Sequence, residues 1–486
     1  MAMRMAWFYG VPSIYIALQN LLNAMKPLSA PPDALAPSAM KLSELIGALS
    51  YALDITEGQP AGHCVRCCWI GMHVGRAAGL TQDQLWELYY TLLLKDLGCS
   101  SNAARICELY LTDDLGFKRG FKTVGDSLPQ VLGFVLKHTG LKAGLAERFR
   151  SVMTILRDGP EIAQGLIATR CQRGADIARL LRFPDGVADG IYSLDEHFNG
   201  NGKPARLAGA AIPVYARIAL LAQVVDVFHT EGGRAAALRE AAARAGSWFD
   251  PQLVAAFENV AQDDAFWAVL AGPGIDAAVL ALEPAGHEVA LDDDYLDDIA
   301  AAFGQVVDAK SPYTSGHSAR VALYTDMIAE ALALPEQRRR WLRRGALLHD
   351  VGKLGVSNSV LDKAGALDRD EWEAVRQHAE YTETILGRIA AFAELASIAG
   401  AHHERLDGGG YPRGLNGDAI RLETRIITTA DIFDAITAER PYRGAIPVPK
   451  ALEMMEKTVG TALDPACFEA LKLAMARMPA AEPVSE

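Results

Sequence analysis

The sequence predicts an all-α fold built from two tandem helical bundles. Two observations carry this expectation. From Lys41 onward apolar residues recur at intervals of three and four, as in KLSELIGALSYAL, LWELYYTLLL, YLDDIAAAFGQVV and WLRRGALLHDVGKLG. That is the period of an amphipathic helix, and the strict alternation of a half-buried strand is scarce. The second observation is an internal repeat. Gly62-His63 stands 254 residues before Gly316-His317, and Lys95-Asp96 stands 254 before His349-Asp350. Further on the spacing becomes 208, which matches Gly200, Gly202, Pro204, Arg217 and Asp226 with Gly408, Gly410, Pro412, Arg425 and Asp434. Trp248-Phe249-Asp250-Pro251 parallels Ala462-Leu463-Asp464-Pro465, each ahead of another helical stretch.

Taken in order, residues 1–39 read as an extension. Met1–Lys26 is apolar with Arg4 near its start, but Pro12 and Ser13 interrupt it and Gln19 and Asn20 follow. No stretch reaches the roughly 20 apolar residues of a membrane-spanning helix, and a peripheral segment fits better than a signal peptide. Residues 40–270 form the first expected bundle, 271–291 a Pro/Gly-containing linker, and 292–478 the second bundle. The acidic run LDDDYLDD opens that second copy and suits the positive end of a helix dipole. Gly159-Pro160, Gly200–Pro204, Gly272–Gly274 and Gly408–Pro412 mark expected loops.

Composition narrows the function classes. Half of the 486 residues are hydrophobic, enough for sizeable cores and too many for a disordered chain. A net charge of -13 argues against a broad footprint for duplex nucleic acid or anionic lipid, while leaving room for a local basic pocket. Seven cysteines, an odd number in a long chain, suit a reducing, cytoplasmic setting. Cys64, Cys67 and Cys68 bunch together without a second pair at zinc spacing, so they read as buried thiols on a helix.

The candidate metal ligands gather in the second copy: His317, His349, Asp350, His378, His402, His403 and Asp431. Five imidazoles and two carboxylates exceed the needs of one ion. They suit two ions roughly 3.5 to 4 Å apart, bridged by a carboxylate such as Asp350. Neighbouring residues on a helix point about 100° apart, so His349-Asp350 and His402-His403 can serve different ions only at a shared floor of a bundle. Such a centre attracts phosphodiester chemistry, because a divalent cation makes a nucleophile available from water near neutral pH. Lys353 is placed to neutralise phosphoryl oxygens, and Arg440 or Arg443 to fork onto a phosphate or a guanine edge.

The motifs GHSARV at 316–321, LLHDVGKLGV at 347–356, RQHAEYTETIL around His378, HHERLDGGGYP at 402–412 and RIITTADIFDAITAERPYR at 425–443 closely resemble the HD-GYP family of cyclic-dinucleotide phosphodiesterases. The resemblance covers roughly residues 295–475. It implies an all-helical domain whose seven ligands hold an iron- or manganese-type binuclear centre that hydrolyses cyclic di-GMP to pGpG, and often onward to GMP. It further implies that Asp350 and Lys353 are catalytic, with Lys353 on the scissile phosphate. Gly410, Tyr411 and Pro412 would shape the substrate mouth, and Asp434, Arg440 and Arg443 would contact the dinucleotide. Members with a third metal use a Glu four residues before the first histidine; Tyr313 stands there, so two metals are expected. The same centre suits 3′3′-cyclic GMP-AMP (3′3′-cGAMP) or a phosphomonoester. A non-catalytic dinucleotide receptor or interaction module is the reading from another class, and the complete ligand set weighs against it.

At the same offsets the first copy carries His63, Lys95, Asp96, Arg170, Leu194, Asp195 and Gln223. Two cations stand where ions would sit and Leu194 offers no donor, so no metal centre is expected there. Lys95 and Arg170 can instead pair with Asp96 and Asp195. This half is expected to be a scaffold, a regulator, or a surface for a homodimer or signalling protein.

Overall fold

The computed structural model describes residues 40–125, 128–141, 143–287, 289–439 and 444–477. Among them every regular element is helical, and pairing outside helices is confined to isolated bridges. The N-terminal half is built on α1 (Leu42–Thr56), α2 (His63–Ala77), α3 (Gln82–Leu94), α4 (Leu145–Leu180), α5 (Asp185–Tyr192) and α6 (Val214–Ala243). The C-terminal half is built on α7 (Asp293–Asp308), α8 (His317–Ala331), α9 (Glu336–Leu348), α10 (Arg369–Gly387), α11 (Ala393–Ala399), α12 (Leu422–Thr437) and α13 (Pro465–Arg477).

Local chemistry sets the helix starts. Thr81 and Gln84 close a capping box ahead of α3, and Asp368 and Glu371 do the same ahead of α10. Asp292 accepts from the Tyr295 amide and begins α7, so the acidic run does open a helix. α2 and α8 each start on a left-handed glycine, Gly62 at φ +85° and Gly316 at φ +69°. A side chain with a Cβ rarely adopts that conformation, which ties the repeated Gly-His pair to the turn into each helix.

The residues repeated in the sequence also make matching hydrogen bonds. Glu196 accepts from the amides of Ala205 and Leu207 at 2.6 and 2.9 Å, and Glu404 accepts from Arg413 and Leu415 at 2.7 and 2.8 Å. Lys203–Pro204 and Tyr411–Pro412 are both cis. Arg425 meets Asp464 at 2.9 Å, and Arg217 reaches its counterpart Asp250.

Two sequence expectations change. Gly159-Pro160 lies inside α4 rather than in a loop. Proline forfeits one backbone bond there, but the burial of Cys171, Ala175, Ile177 and Ala178 further along carries the helix across it. The segment expected as a linker, 271–291, contains a helix, Ile275–Leu280, and buries Val279, Leu282 and Leu291. Its Asp276 accepts from Tyr51 at 2.5 Å, and the Arg388 guanidinium lies 3.4 Å over the Tyr51 ring.

The core explains that packing. One apolar cluster runs from α1 through α7 and on to Leu348, Val351, Leu354 and Leu395, so it is shared between the halves. A second cluster, around Val321, Ile426, Phe433 and Phe468, belongs to the C-terminal half. α1 therefore packs on α2 and α3, and also on α10 and the 3₁₀ turn Val351–Gly355. That turn carries Lys353.

Candidate metal centre

Five elements deliver the seven expected ligands to one buried point. His317 is the first residue of α8, His349 and Asp350 follow the end of α9, and His378 lies on α10. His402 and His403 sit in the turn after α11, and Asp431 faces inward from α12. Donor atoms of His317, His349 and Asp431 lie within 4.8 Å of one another, as do those of His349, Asp350 and His402, and those of His378, His402 and His403. The groups overlap at His349 and His402, and Asp350 approaches histidines of all three. Asp350 Oδ2 lies 3.3 Å from both His317 Nε2 and His349 Nε2, and Oδ1 lies 3.5 Å from His378 Nε2 and 3.6 Å from His402 Nε2. Asp431 Oδ1 stands 3.4 Å from His317 Nε2.

The rear of each ring is tethered. His349, His378 and His402 each direct Nδ1 at the carbonyl three residues earlier, on Ala346, Val375 and Ala399, at 2.7, 2.5 and 2.6 Å. His317 Nδ1 meets Asp434 Oδ2 at 2.7 Å. With Nδ1 engaged behind, Nε2 presents its lone pair inward, the arrangement of metal-binding histidines. Two threonines fix the loops: Thr382 donates to the His349 carbonyl and accepts from the Gly352 amide, and Thr428 donates to the His402 carbonyl.

Electrostatics divide the centre in two. Burial opposes protonation of His349, but Asp350 and Asp431 prevail and push its pKa up to about 10. His317 moves the same way, burial being outweighed by Asp350 and Asp434. On the other side burial drives His378 down to about 4 and His403 to about 3, and pushes His402 well below its ordinary value. Asp350 and Asp431 are held well below the carboxylate range, because His349 outweighs the burial that would raise them, with Lys353 adding to the effect at Asp350. His317 Nε2, His349 Nε2 and Asp350 Oδ1 are buried without a hydrogen-bond partner. Imidazole nitrogens and ionised carboxylate oxygens that converge in a buried space fit divalent cations, whose binding would displace the protons otherwise favoured on His317 and His349. Arg440 and Arg443 lie outside the described residues.

The substrate-side residues separate. Lys353 Nζ reaches Asp350 Oδ2 at 2.5 Å and lines a cavity of about 100 Å³ with His317, Tyr313 and Lys310. Tyr411 is half-buried beside the centre, its ring 4.7 Å from that of His403, and the Arg376 guanidinium lies 5.6 Å over it. Pro412 follows on the same turn. At Gly410 a Cβ would meet the His403 carbonyl and the Arg405 amide at 2.5 Å. The close approach is between two strands of one turn, and Gly202 meets the matching backbone in the other half. Asp434 lies behind His317. It is 1% exposed, with Oδ2 on His317 and Oδ1 on Arg320 Nε at 2.6 Å, so both oxygens are committed to those side chains. Arg320 was missed as its partner; the repeat signalled it, since Arg66 follows His63 by the same three residues.

In the N-terminal half Lys95 Nζ pairs with Asp96 and reaches Gln223 Oε1 at 3.3 Å, and Arg170 pairs with Asp195. Cys64 and Cys99 thiols flank the two oxygens of Asp96, each at 3.5 Å. His63, Cys67 and Asp226 approach one another, as do Glu57, Asp96 and Cys99. Arg66, Lys95, Lys118 and Lys122 already neutralise those carboxylates. All seven cysteines are free.

An all-helical bundle that gathers histidines and aspartates around a bridging carboxylate is the site of a metal-dependent phosphohydrolase. The HD domain family matches residues 164–253 and 302–467. The chain is 58% identical to 3′3′-cGAMP-specific phosphodiesterase 3 of Vibrio cholerae over 446 residues, 92% of this chain and 97% of that protein. It is 41% identical over 160 residues to the cyclic di-GMP phosphodiesterase response regulator RpfG of Xanthomonas campestris, 32% of this chain and 42% of that one. The crystal structure of the Vibrio cholerae cyclic GMP-AMP-specific phosphodiesterase V-cGAP3 aligns with a TM-score of 0.63 and 52% identity, over 90% of this chain and 98% of the other. The chain belongs to the HD domain family and, within it, to the HD-GYP cyclic-dinucleotide phosphodiesterases. It is a metal-dependent hydrolase of cyclic dinucleotides, which displaces the receptor reading. Among the described residues no helix is long and apolar enough to cross a membrane.

Proposed function

We propose that the protein hydrolyses 3′3′-cGAMP to a linear dinucleotide, and that this substrate stands ahead of the cyclic di-GMP expected from the motifs. The observation that carries the reading is the 58% identity to a 3′3′-cGAMP-specific phosphodiesterase across 97% of its length. That relative parallels both halves of the chain, whereas the match to RpfG spans 32% of it.

In this reading residues 292–478 are the catalytic half, and residues 40–270 are a companion without metals. His317, His349, Asp350 and Asp431 would hold one ion, and Asp350, His378, His402 and His403 would hold the second. The partly filled 3d shells of iron and manganese accept such mixed imidazole and carboxylate donors. When bound, two such cations activate water as the nucleophile and neutralise charge on the phosphoryl oxygens. The protein supplies position and charge. Asp350 fixes the spacing between the two ligand groups through its opposed oxygens. Lys353, beside Asp350 and open to the cavity, offers its ammonium to the scissile phosphate as negative charge builds. Tyr411 offers an aromatic face against which a base can stack, next to His403.

Competitive turnover decides the substrate. Manganese- or iron-loaded protein given equal 3′3′-cGAMP and cyclic di-GMP should consume 3′3′-cGAMP at least about tenfold faster, a discrimination of the size a base-edge hydrogen bond supports. Equal rates, or faster loss of cyclic di-GMP, would remove the proposal and leave the family activity standing.

A further inference from the structure

The N-terminal half touches the catalytic half at a buried polar joint. Asp114, the first residue of the short helix Asp114–Phe121, is fully buried and comes from the N-terminal half. Its Oδ1 accepts from the Asn358 amide at 2.9 Å and from Ser357 Oγ at 3.0 Å, and its Oδ2 faces Lys310 Nζ at 3.4 Å. Cys107 Sγ stands 3.6 Å from Oδ1. Lys310, 1% exposed, has no other carboxylate in contact and lines the same cavity as Lys353, His317 and Asp350. Asn358 returns a bond from Nδ2 to the Lys310 carbonyl at 2.7 Å.

These contacts bracket the catalytic turn. Asp350 to Gly355 runs from the candidate bridging ligand through Lys353, and Ser357 and Asn358 follow after Val356. On one side the turn is pressed against α10, where a Cβ on Gly352 would meet the His378 carbonyl at 1.9 Å. At its end Gly355 lies between Ile55 of α1 and Tyr381 of α10, where a Cβ would stand 2.8 Å from Ile55 Cγ2 and 2.9 Å from the Tyr381 ring. The N-terminal half therefore supplies part of the wall around the turn. Asp114 is the only acidic side chain that the N-terminal half bonds to the residues following the turn among the described residues.

We propose that Asp114 is a positioning residue of the active site: it acts through Ser357, Asn358 and Lys310 to hold the Asp350–Gly355 turn, and with it the Lys353 ammonium, in register with the metal ligands. The companion half is then a structural part of the active site. Its ligand-poor twin centre is compatible with that role, because the contribution comes from a surface 18 residues further along the chain than Asp96. The proposal rests on the family's hydrolytic activity and not on the choice of base.

The test uses full-length, metal-loaded protein and whichever cyclic dinucleotide the wild type turns over fastest, so it stands even if that substrate is not 3′3′-cGAMP. Asp114→Ala should lower kcat at least tenfold while KM stays within about twofold and both metals are retained by elemental analysis. Asp114→Asn keeps an oxygen for Ser357 and Asn358, and should recover most of kcat when combined with Lys310→Met, which removes the ammonium left without a partner. The control is Arg182→Ala, which breaks an exposed contact between the halves at Asp298, far along the chain from the turn, and should leave kcat unchanged. Unchanged kcat in a folded Asp114→Ala protein would overturn the proposal. So would loss of metal in step with activity, or an equal loss in the Arg182 variant, since either would mean general loosening. If Asp114→Ala does not fold, Asp114→Asn alone and the double variant decide by the same two readouts.

Discussion

In the C-terminal half Asp434 takes His317 Nδ1 at 2.7 Å and Arg320 Nε at 2.6 Å; in the N-terminal half Asp226 takes His63 Nδ1 at 2.6 Å and Arg66 Nε at 2.7 Å. Each arginine also donates Nη1 at 2.9 Å to a carbonyl in the turn before its helix, Ser315 and Ala61. The frames coincide and the interiors do not. In front of His317 stand His349, Asp350 and Asp431; in front of His63 stand Lys95 and Asp96, already paired. A frame present around both interiors serves the bundle, since it ties the start of α2 or α8 to α6 or α12. The residues that differ are the candidate metal ligands. Two of their positions in the N-terminal half carry a cation of the chain itself, the Lys95 ammonium and the Arg170 guanidinium.

The largest effect should follow from breaking the bridge. Asp350→Ala removes the one carboxylate shared by both ligand groups, so metal content and turnover should fall together to background. Elemental analysis and a dinucleotide assay on the same preparation check this; a variant that kept both ions would show that the two ligand groups do not depend on the bridge.

Lys95→Met sharpens the comparison from the other side. It leaves Asp96 buried with its strongest partner gone, a loss of about 3–5 kcal/mol for a broken buried pair. Metal content should not change, because the proposed ligands all lie in the other half. Denaturant melts with metal analysis test both statements, and uptake of a further ion by the variant would mean that Lys95 alone excludes it.

Asp434→Ala addresses the frame where it supports metals. Loss of a group that orients a metal-bound histidine typically costs about 10–100-fold in metal affinity or activity. Asp226→Ala, its twin, should cost stability and leave turnover per folded molecule unchanged. Titration with manganese and a steady-state assay separate the two, and equal activity losses would dissolve the distinction between the halves.

The helical period, the repeated Gly-His pair and the family motifs were legible in the sequence, because they depend on residue identity and local spacing, which a chain displays directly. The structure brings the seven candidate ligands together. The bonds of Asp434 to His317 and Arg320 were not legible from spacing alone, which places it near Asp431 on one helix without saying which atom it meets. The repeated His63–Arg66–Asp226 and His317–Arg320–Asp434 sets held that information. The packing of 271–291 and the joint at Asp114 were out of reach. Each depends on contacts between residues far apart in the chain, such as Asp114 with Asn358, for which local periodicity has no signal.

The smallest effect is a pH dependence seated in the twin. Burial, with Lys95 adding, lowers the His63 pKa from 6.5 to about 4 in the folded protein. Between those values the unfolded chain binds a proton that the folded chain refuses, so stability rises with pH through this window and is fully present above about 6.5. Lowering the pH from 6.5 to about 5 should therefore remove on the order of 2 kcal/mol through this residue. His63→Gln should flatten that part of the curve, because glutamine has no proton to gain. The comparison is best made by urea melts in chelator, so that metal release from His317 and its neighbours does not enter. A wild type and a His63→Gln variant with parallel slopes would show that His63 is not buried as a neutral ring, and that the twin frame tolerates a charge where its counterpart holds a metal.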